Sequence, residues 1–209
     1  MTSKHYCAII GDIRKSRSLP ARAAVQRKFA SAIETVNAEF KKEIASRFLL
    51  TLGDEFQGLL ISPAESYRLV RRFQDLMEPI PFSFGIGVGT LSTPLQKEAL
   101  GMDGEVFHRA RAALTDAKKS KREILYSFDS PALDITNALI GLLESERQRL
   151  TARQKQIAQL LKDLDGQKAV ARRLRISQPA VAKVVASLRY MTQAEKSLHE
   201  FLRLLVKGT

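Results

Sequence analysis

The chain has 209 residues, 44% of them hydrophobic, and a formal net charge of +12, so it can form one domain with a good core or two smaller ones. Its single cysteine excludes an intrachain disulfide, and its three scattered histidines argue against a zinc cluster. No apolar run approaches the ~20 residues of a membrane span, and the N-terminus lacks a secretory pattern, so the sequence predicts a cytoplasmic protein without a membrane segment.

The first part of the chain predicts an alternation of strands and helices. A short apolar run, HYCAIIGD, predicts a buried strand that closes on Asp12 and contains a buried thiol, Cys7. Helical spacing of apolar residues predicts a helix over 21–41, and RFLLTLGDEFQGLLI predicts a hairpin that turns at its Gly-Asp pair. A second helix starts at Ser62-Pro63. The strand that follows, FSFGIGVGTL, is rich in glycines, which would let another backbone or a ligand approach closely.

The predicted order is β-α-β-β-α-β, the ferredoxin-like split βαβ arrangement, with an antiparallel sheet and both helices on one face. In this topology the first strand lies beside the hairpin at the centre of the sheet. Asp12 should therefore approach Asp54 and Glu55 at the hairpin tip, although some forty residues separate them. A further helix between residues 101 and 117 and a strand, EILYSF, complete a domain predicted to span residues 1–130.

Residues 131–209 predict an all-helical domain, joined to the first within the helix that follows Ser130-Pro131. Residues 150–209 hold twelve Lys and Arg against four Asp and Glu, a net charge of +8, which suggests a polyanionic partner. The segment AVARRLRISQPAVAKVVASL resembles the helix-turn-helix of many bacterial regulators, and we place this motif at residues 167–189. Arg175 takes the turn position that glycine often fills, at a cost of order 1 kcal/mol.

The second short helix of this motif has the right size for a DNA major groove, which makes double-stranded DNA the predicted partner. A single motif covers only a half-site, so specific binding would require a homodimer. A small helical bundle that binds protein is the alternative interpretation. The residues predicted to contact DNA are polar or basic, and they are Arg172, Arg173, Arg175, Ser177, Gln178, Lys183 and Arg189.

The acids at the first strand end and the hairpin tip form a minimal set for a divalent metal or phosphate site. Mg²⁺ needs only one or two carboxylates when phosphates supply its remaining oxygen ligands. We therefore predict Asp12, Asp54 and Glu55 as ligands of Mg²⁺ or Mn²⁺. The basic residues that directly follow the first strand are candidates for phosphate binding, and they are Arg14, Lys15 and Arg17. In the alternative interpretation, Asp12 is a strand-end cap, Asp54 is a turn residue and the basic stretch is a solvated loop.

Four motifs, in this order, resemble the SatD family of small bacterial proteins over residues 5–130: YCAIIGDIRKSR, TLGDEFQGLL, FSFGIGVG and DGEVFHRARAA. The same order more distantly resembles class III nucleotide cyclases and GGDEF diguanylate cyclases, which use a ferredoxin-like palm with metal-binding acids on the first strand and in the hairpin. The resemblance implies a nucleotide ligand and assigns metal binding to Asp12 and Asp54. Glu55 matches the acid that follows the second ligand in GGDEF proteins.

The chain also departs from these enzymes. Leu52 replaces the first glycine of GGDEF. Class III cyclases carry an Asn and an Arg four residues apart on the late helix, which steady the transition state. Alignment on Arg111, a candidate phosphate-binding residue, puts Phe107 at the place of that Asn. Loss of one such hydrogen-bond donor commonly costs on the order of 10²–10³ in rate, so we expect weak or absent turnover, and Phe107→Asn should raise any trace activity.

Three hypotheses follow from the sequence. The leading hypothesis is a DNA-binding regulatory protein whose cyclase-like palm senses a nucleotide or a metal. The second is a divergent nucleotidyl cyclase or other phosphotransferase, with the C-terminal helices serving regulation or dimerisation. The third is an interaction module with a vestigial palm.

Overall fold

The computed structural model describes residues 4–14, 16 and 21–205. In this part of the chain the strands are β1 (Tyr6–Ile13), β2 (Ile44–Leu52), β3 (Glu55–Leu60), β4 (Phe82–Gly89) and β5 (Ile124–Ser127). The helices are α1 (Arg22–Glu39), α2 (Ser66–Met77), α3 (Glu105–Ser120), α4 (Leu133–Arg149), α5 (Ala152–Asp163), α6 (Gly166–Leu174), α7 (Gln178–Ser187) and α8 (Arg189–Leu204). The predicted mixed α+β class is confirmed.

A single five-stranded sheet organises the first part of the chain, with the order β2-β3-β1-β4-β5. β1 lies at its centre and pairs antiparallel with β3 on one side and with β4 on the other. β2 is antiparallel to β3, whereas β5 joins β4 in parallel. The first four strands therefore follow the predicted ferredoxin-like arrangement, and β5 extends it at the β4 edge.

The two faces of the sheet are covered by different helices. On one face, Phe29 of α1 and Phe73 of α2 meet strand aromatics, with ring centroids 5.3 Å apart for Phe29–Phe82 and 4.5 Å apart for Phe56–Phe73. Successive strand side chains point to opposite faces, so the alternate residues of β1 face the other way. There they pack against α3 in a buried cluster, which consists of Ala8, Ile10, Leu59, Ala99, Met102, Val106, Phe107, Ala110 and Leu114.

The glycines of β4 provide the space for α3. A Cβ atom added to Gly85 would lie 2.1 Å from the carbonyl oxygen of Ala110, and one added to Gly87 would lie 2.3 Å from that of Val106. Both oxygens belong to the backbone of α3. The sequence left open whether a backbone or a ligand uses this space, and the α3 backbone occupies it.

The single cysteine lies in the buried central strand. Cys7 is fully buried and forms no disulfide. Its burial raises the pKa of the thiol to about 12, so the thiolate that reacts as a nucleophile is not populated near neutral pH. The predicted buried thiol is confirmed.

The described residues form two compact units, of which one is residues 141–198 and the other consists of the remaining described residues. The core of the 141–198 unit contains Ile157, Val170, Ala171 and Val181. The two units do not test the predicted domain ranges of 1–130 and 131–209, which stay predictions. No helix within residues 4–14, 16 and 21–205 is long and apolar enough to cross a membrane.

Two helices of this unit begin at hydroxyl caps, and α7 ends before the predicted motif does. Thr151 is the N-cap of α5 and forms a capping box with Gln154. The Ser177 hydroxyl accepts a hydrogen bond from the N–H of Ala180 at the start of α7. Arg175 takes the left-handed conformation at the turn, with φ of 53°. The motif was placed at residues 167–189, but α7 ends at Ser187 and α8 begins at Arg189. The Ser187 hydroxyl donates to the Val184 carbonyl at this end of α7.

The residues of the predicted helix-turn-helix thus form α6 and α7 with a short turn between them. Consecutive short helices of this kind also occur in protein-binding bundles. The geometry therefore establishes the two helices, and it does not establish a separate helix-turn-helix domain.

Candidate functional site

The predicted acids lie at one end of the two central strands. Asp12 at the end of β1 is the direct cross-strand partner of Glu55 at the start of β3. The backbone N–H of Ile13 donates to the carbonyl oxygen of Asp54 at 3.0 Å, which ties the hairpin tip to the end of β1. Direct partners project from the same face of a sheet. The Asp12 and Glu55 side chains therefore share the face that α3 covers.

Glu55 is held by Arg111 from α3 through two parallel contacts. Arg111 Nη2 lies 2.9 Å from Oε1, and Nη1 contacts Oε2. The Thr51 hydroxyl also donates to Oε1 at 3.0 Å. Burial alone would raise the pKa of Glu55, but the hydrogen bonds and positive charge of Arg111 outweigh it and hold that pKa below its usual value. Both carboxylate oxygens accept hydrogen bonds, so Glu55 in this arrangement positions Arg111. Its predicted role as a metal ligand stays a prediction.

Asp12 is held less firmly, by a single cation. The ammonium group of Lys118, also on α3, contacts Oδ2 of Asp12. The Asp12 side chain is only 14% exposed, whereas that of Lys118 is 45% exposed. Burial raises the pKa of Asp12, the Lys118 contact lowers it, and the negative charges of Asp54 and Glu55 add to the increase. Asp12 therefore lies close enough to Asp54 and Glu55 to be repelled by both.

The remaining predicted residues of this site have different surroundings. The Asp54 carboxylate accepts a hydrogen bond from the Ser16 hydroxyl. Arg14 Nε donates to the Ser83 hydroxyl at 2.9 Å, and its Nη2 donates to the Arg122 carbonyl, so Arg14 braces the end of β1 against β4. Lys15 and Arg17, both predicted to bind phosphate, lie outside the described residues.

Sequence reasoning missed Lys118. Its position carried a usable signal, since it follows Arg111 by seven residues on the same helix. Seven residues are close to two helical turns, which places both side chains on one face. A search for basic residues at this spacing from Arg111 would have found it.

The acids do not form a complete protein-only metal cage. Within the described part of the chain, no group of three or more His, Cys, Asp or Glu residues is arranged to hold a metal ion. Mg²⁺ commonly binds through one or two carboxylates with phosphate oxygens and waters as its other ligands. Asp12 and Asp54 fit that second kind of site, in which the metal arrives together with a phosphate compound.

The Glu55–Arg111 pair predicts a pH-dependent stability. A lowered folded pKa means that the ionised carboxylate stabilises the fold above its ordinary pKa of 4.5, and that this contribution is lost as pH falls through the lower folded value. We expect Glu55→Gln to lower the free energy of unfolding at pH 7 by about 1–2 kcal/mol. Urea unfolding should show the difference shrinking towards pH 3.

The matched control is Glu34→Gln. Glu34 pairs with Arg47 at 2.9 Å, but both side chains are more than half exposed. Exposed pairs contribute less than about 1 kcal/mol. If both variants lose the same stability with the same pH profile, the Glu55–Arg111 pair has no special role in the fold.

Comparison with known proteins gives a family. The family model of the SatD family matches residues 6–191. A comparison with curated proteins found no match.

Several solved nucleotide cyclases have similar structures. A bacterial light-regulated adenylyl cyclase is 11% identical, with 61% of this chain and 77% of that chain covered and a TM-score of 0.44. The diguanylate cyclase SiaD of Pseudomonas aeruginosa, solved with its activator SiaC, is 18% identical over 59% of this chain, at a TM-score of 0.47. This chain spans half of the SiaD chain. The guanylate cyclase domain of RhGC from Catenaria anguillulae, solved with GTP, is 13% identical over 54% of this chain and 73% of that chain, at a TM-score of 0.40.

The predicted function of a DNA-binding transcription regulator is wrong. The similar structures are nucleotide cyclases, as in the second hypothesis, and no finding supports double-stranded DNA as a partner. A helical bundle can also have a basic, solvated outer face on its short helices. Charge and helix spacing therefore do not distinguish a DNA-binding motif from such a bundle. Arg189, assigned to the recognition helix, instead begins α8. The residues assigned to DNA contact are all exposed: Arg172, Arg173, Arg175, Ser177, Gln178, Lys183 and Arg189.

Proposed function

The chain belongs to the SatD family, and we propose that it is a divergent nucleotidyl cyclase or related phosphotransferase that binds a nucleotide together with Mg²⁺ or Mn²⁺. One observation carries the proposal. Asp12, Asp54 and Glu55 converge at one end of adjacent central strands, and Arg111 and Lys118 of α3 face them. Acids for a metal and cations for phosphate groups are thus concentrated at a single place.

Each side chain has a separate task in this proposal. Asp12 and Asp54 supply carboxylate oxygens to the metal, which when bound neutralises charge on the phosphate groups. Glu55 holds Arg111 in a fixed orientation. Arg111 uses two of its nitrogens for Glu55, and its side chain is 49% exposed. A guanidinium group has five N–H donors, so Arg111 retains donors that can bind a phosphate group or stabilise developing negative charge.

We propose that the C-terminal helices serve regulation or dimerisation as an all-helical domain over residues 131–209. The support is that residues 141–198 form a compact unit with its own buried residues. The arrangement of α6, the Arg175 turn and α7 is also that of helix-turn-helix units that serve in dimerisation. In this proposal the net charge of +8 on residues 150–209 makes the outer surface of these helices soluble in water.

Titration with Mn²⁺ tests the metal-binding part of the proposal. We expect Asp12→Asn and Asp54→Ala each to weaken Mn²⁺ binding by roughly tenfold or more, because each removes an oxygen ligand. The free Mn²⁺ signal in electron paramagnetic resonance measures the binding. The control is Asp116→Asn, which removes an exposed acid of α3 whose Lys119 partner is 3.9 Å away. Equal binding by all these proteins would leave Asp54 with only a turn role.

The catalytic part of the proposal needs a product assay. The purified protein is incubated with Mg²⁺ or Mn²⁺ and each nucleoside triphosphate in turn, and products are separated by liquid chromatography. A cyclic nucleotide, a dinucleotide or another phosphoryl-transfer product that Asp12→Asn abolishes supports the proposal. Failure to bind or convert any triphosphate contradicts it.

A further inference from the structure

We infer that Lys118 takes two positions, one paired with Asp12 when the site holds no metal and one paired with phosphate oxygens when a metal and a polyphosphate are bound. This inference rests on the proposed function, since it describes how the same site is regulated. It assigns Lys118 as a phosphate-binding residue and as a competitor of the metal.

The competition follows from the contact with Asp12. The Lys118 ammonium group lies against Oδ2 of Asp12, so it occupies the space beside an oxygen that a metal bound to Asp12 would need. The Asp12 side chain is only 14% exposed, so this contact covers part of the little surface that its carboxylate presents. Two cations at one carboxylate oxygen repel each other. The ammonium group must therefore move before a divalent ion can bind this oxygen.

Lys118 is suited to such a movement and Arg111 is not. Arg111 is fixed by paired contacts to Glu55, whereas Lys118 makes a single contact with Asp12. Lys118 lies in the last turn of α3 and its side chain is nearly half exposed. A lysine ammonium is a compact charge on a flexible four-carbon stem, so it can change partners without any movement of the backbone.

The neighbouring acids indicate what the released ammonium group would bind. Glu55 is engaged by Arg111 and Thr51, and Asp54 by Ser16. A polyphosphate that arrives with the metal brings several negative charges to the same place, and lysine binds phosphate well as a point charge. Metal binding and polyphosphate binding are therefore coupled through Lys118, and each should strengthen the other.

The test compares Lys118→Met with Lys119→Met, which removes the neighbouring lysine, a residue 74% exposed with only a 3.9 Å contact to Asp116. With Mn²⁺ alone, Lys118→Met should bind about two- to fivefold more tightly than wild type, because the competing ion pair is gone. With inorganic tripolyphosphate added at saturating Mn²⁺, the same variant should bind tripolyphosphate about two- to fivefold more weakly. Lys119→Met should match wild type in both titrations.

The outcomes separate this inference from the proposed function. Unchanged Mn²⁺ affinity in Lys118→Met, together with loss of Mn²⁺ binding in Asp12→Asn, overturns the inference and leaves the proposed metal site in place. Tighter binding of both Mn²⁺ and tripolyphosphate overturns the phosphate role of Lys118. Absence of Mn²⁺ binding in wild type and in Lys118→Met, both without and with tripolyphosphate, overturns the inference and the proposed function together. Circular dichroism checks the fold of each variant, and Lys118→Gln replaces Lys118→Met where the latter does not fold.

Discussion

Gly85→Ala is expected to lower the free energy of unfolding by about 3 kcal/mol. The new Cβ atom would lie 2.1 Å from the Ala110 carbonyl oxygen and 2.2 Å from the Leu114 nitrogen. Both atoms belong to the backbone of α3, which cannot rotate aside as a side chain can, so the whole helix must move from the sheet. Urea unfolding followed by far-ultraviolet circular dichroism measures the loss.

This change should also disturb the site, because α3 carries Arg111 and Lys118. A shift of the helix weakens their contacts with Glu55 and Asp12. The control is Gly101→Ala, since Gly101 has no atom within 4 Å of an added Cβ but has φ of +72°, and therefore incurs only backbone strain of about 1 kcal/mol. Equal destabilisation by both substitutions would show that close packing of α3 on β4 is not what Gly85 provides.

The first half of the fold was predictable from short-range patterns. Apolar runs, helical spacing and one Gly-Asp turn predicted the βαββαβ order, and the split βαβ topology then placed the first strand beside the hairpin. The approach of Asp12 to the hairpin acids follows from that topology alone, and the structure pairs it directly with Glu55. The pairing of the central strands could thus be predicted from a single sequence.

The cations of the site depend on long-range packing instead. Lys118 reaches Asp12 across 106 residues of sequence, and Arg111 reaches Glu55 across 56. Both contacts require α3 to lie on the face of the sheet opposite α1 and α2, at a distance that the glycines of β4 permit. The spacing of apolar residues shows that α3 is amphipathic, but it does not say which strands the helix crosses.

The positive charge of the C-terminal helices led to the wrong prediction of DNA binding for a different reason. Packing constrains buried residues strongly, whereas an exposed lysine or arginine is stable in water without any partner. The charge of +8 therefore has the same structural consequence in a DNA-binding domain and in a solvated bundle. Only the helices followed from local chemistry, and the hydroxyl caps at Thr151 and Ser177 are part of that chemistry.

Phe107→Asn is expected to raise any trace nucleotide turnover, by as much as the 10²–10³ that one transition-state donor commonly contributes. Phe107 precedes Arg111 by one helical turn, and its side chain is 8% exposed within the cluster between α3 and the sheet. The gain therefore comes with a loss of packing, for which about 3–5 kcal/mol is typical of a buried phenylalanine. Turnover must be measured per folded molecule, at a temperature below the unfolding midpoint of the variant.

Phe107→Leu separates the two effects. Leucine retains part of the apolar volume that Phe107 contributes to the buried cluster, but it cannot donate a hydrogen bond. Its turnover should remain at the wild-type level while its stability falls less than that of Phe107→Asn. A rise with asparagine and none with leucine supports a donor role at residue 107. The same turnover in both variants would mean that the nucleotide lies out of reach of this position and that the alignment on Arg111 is wrong.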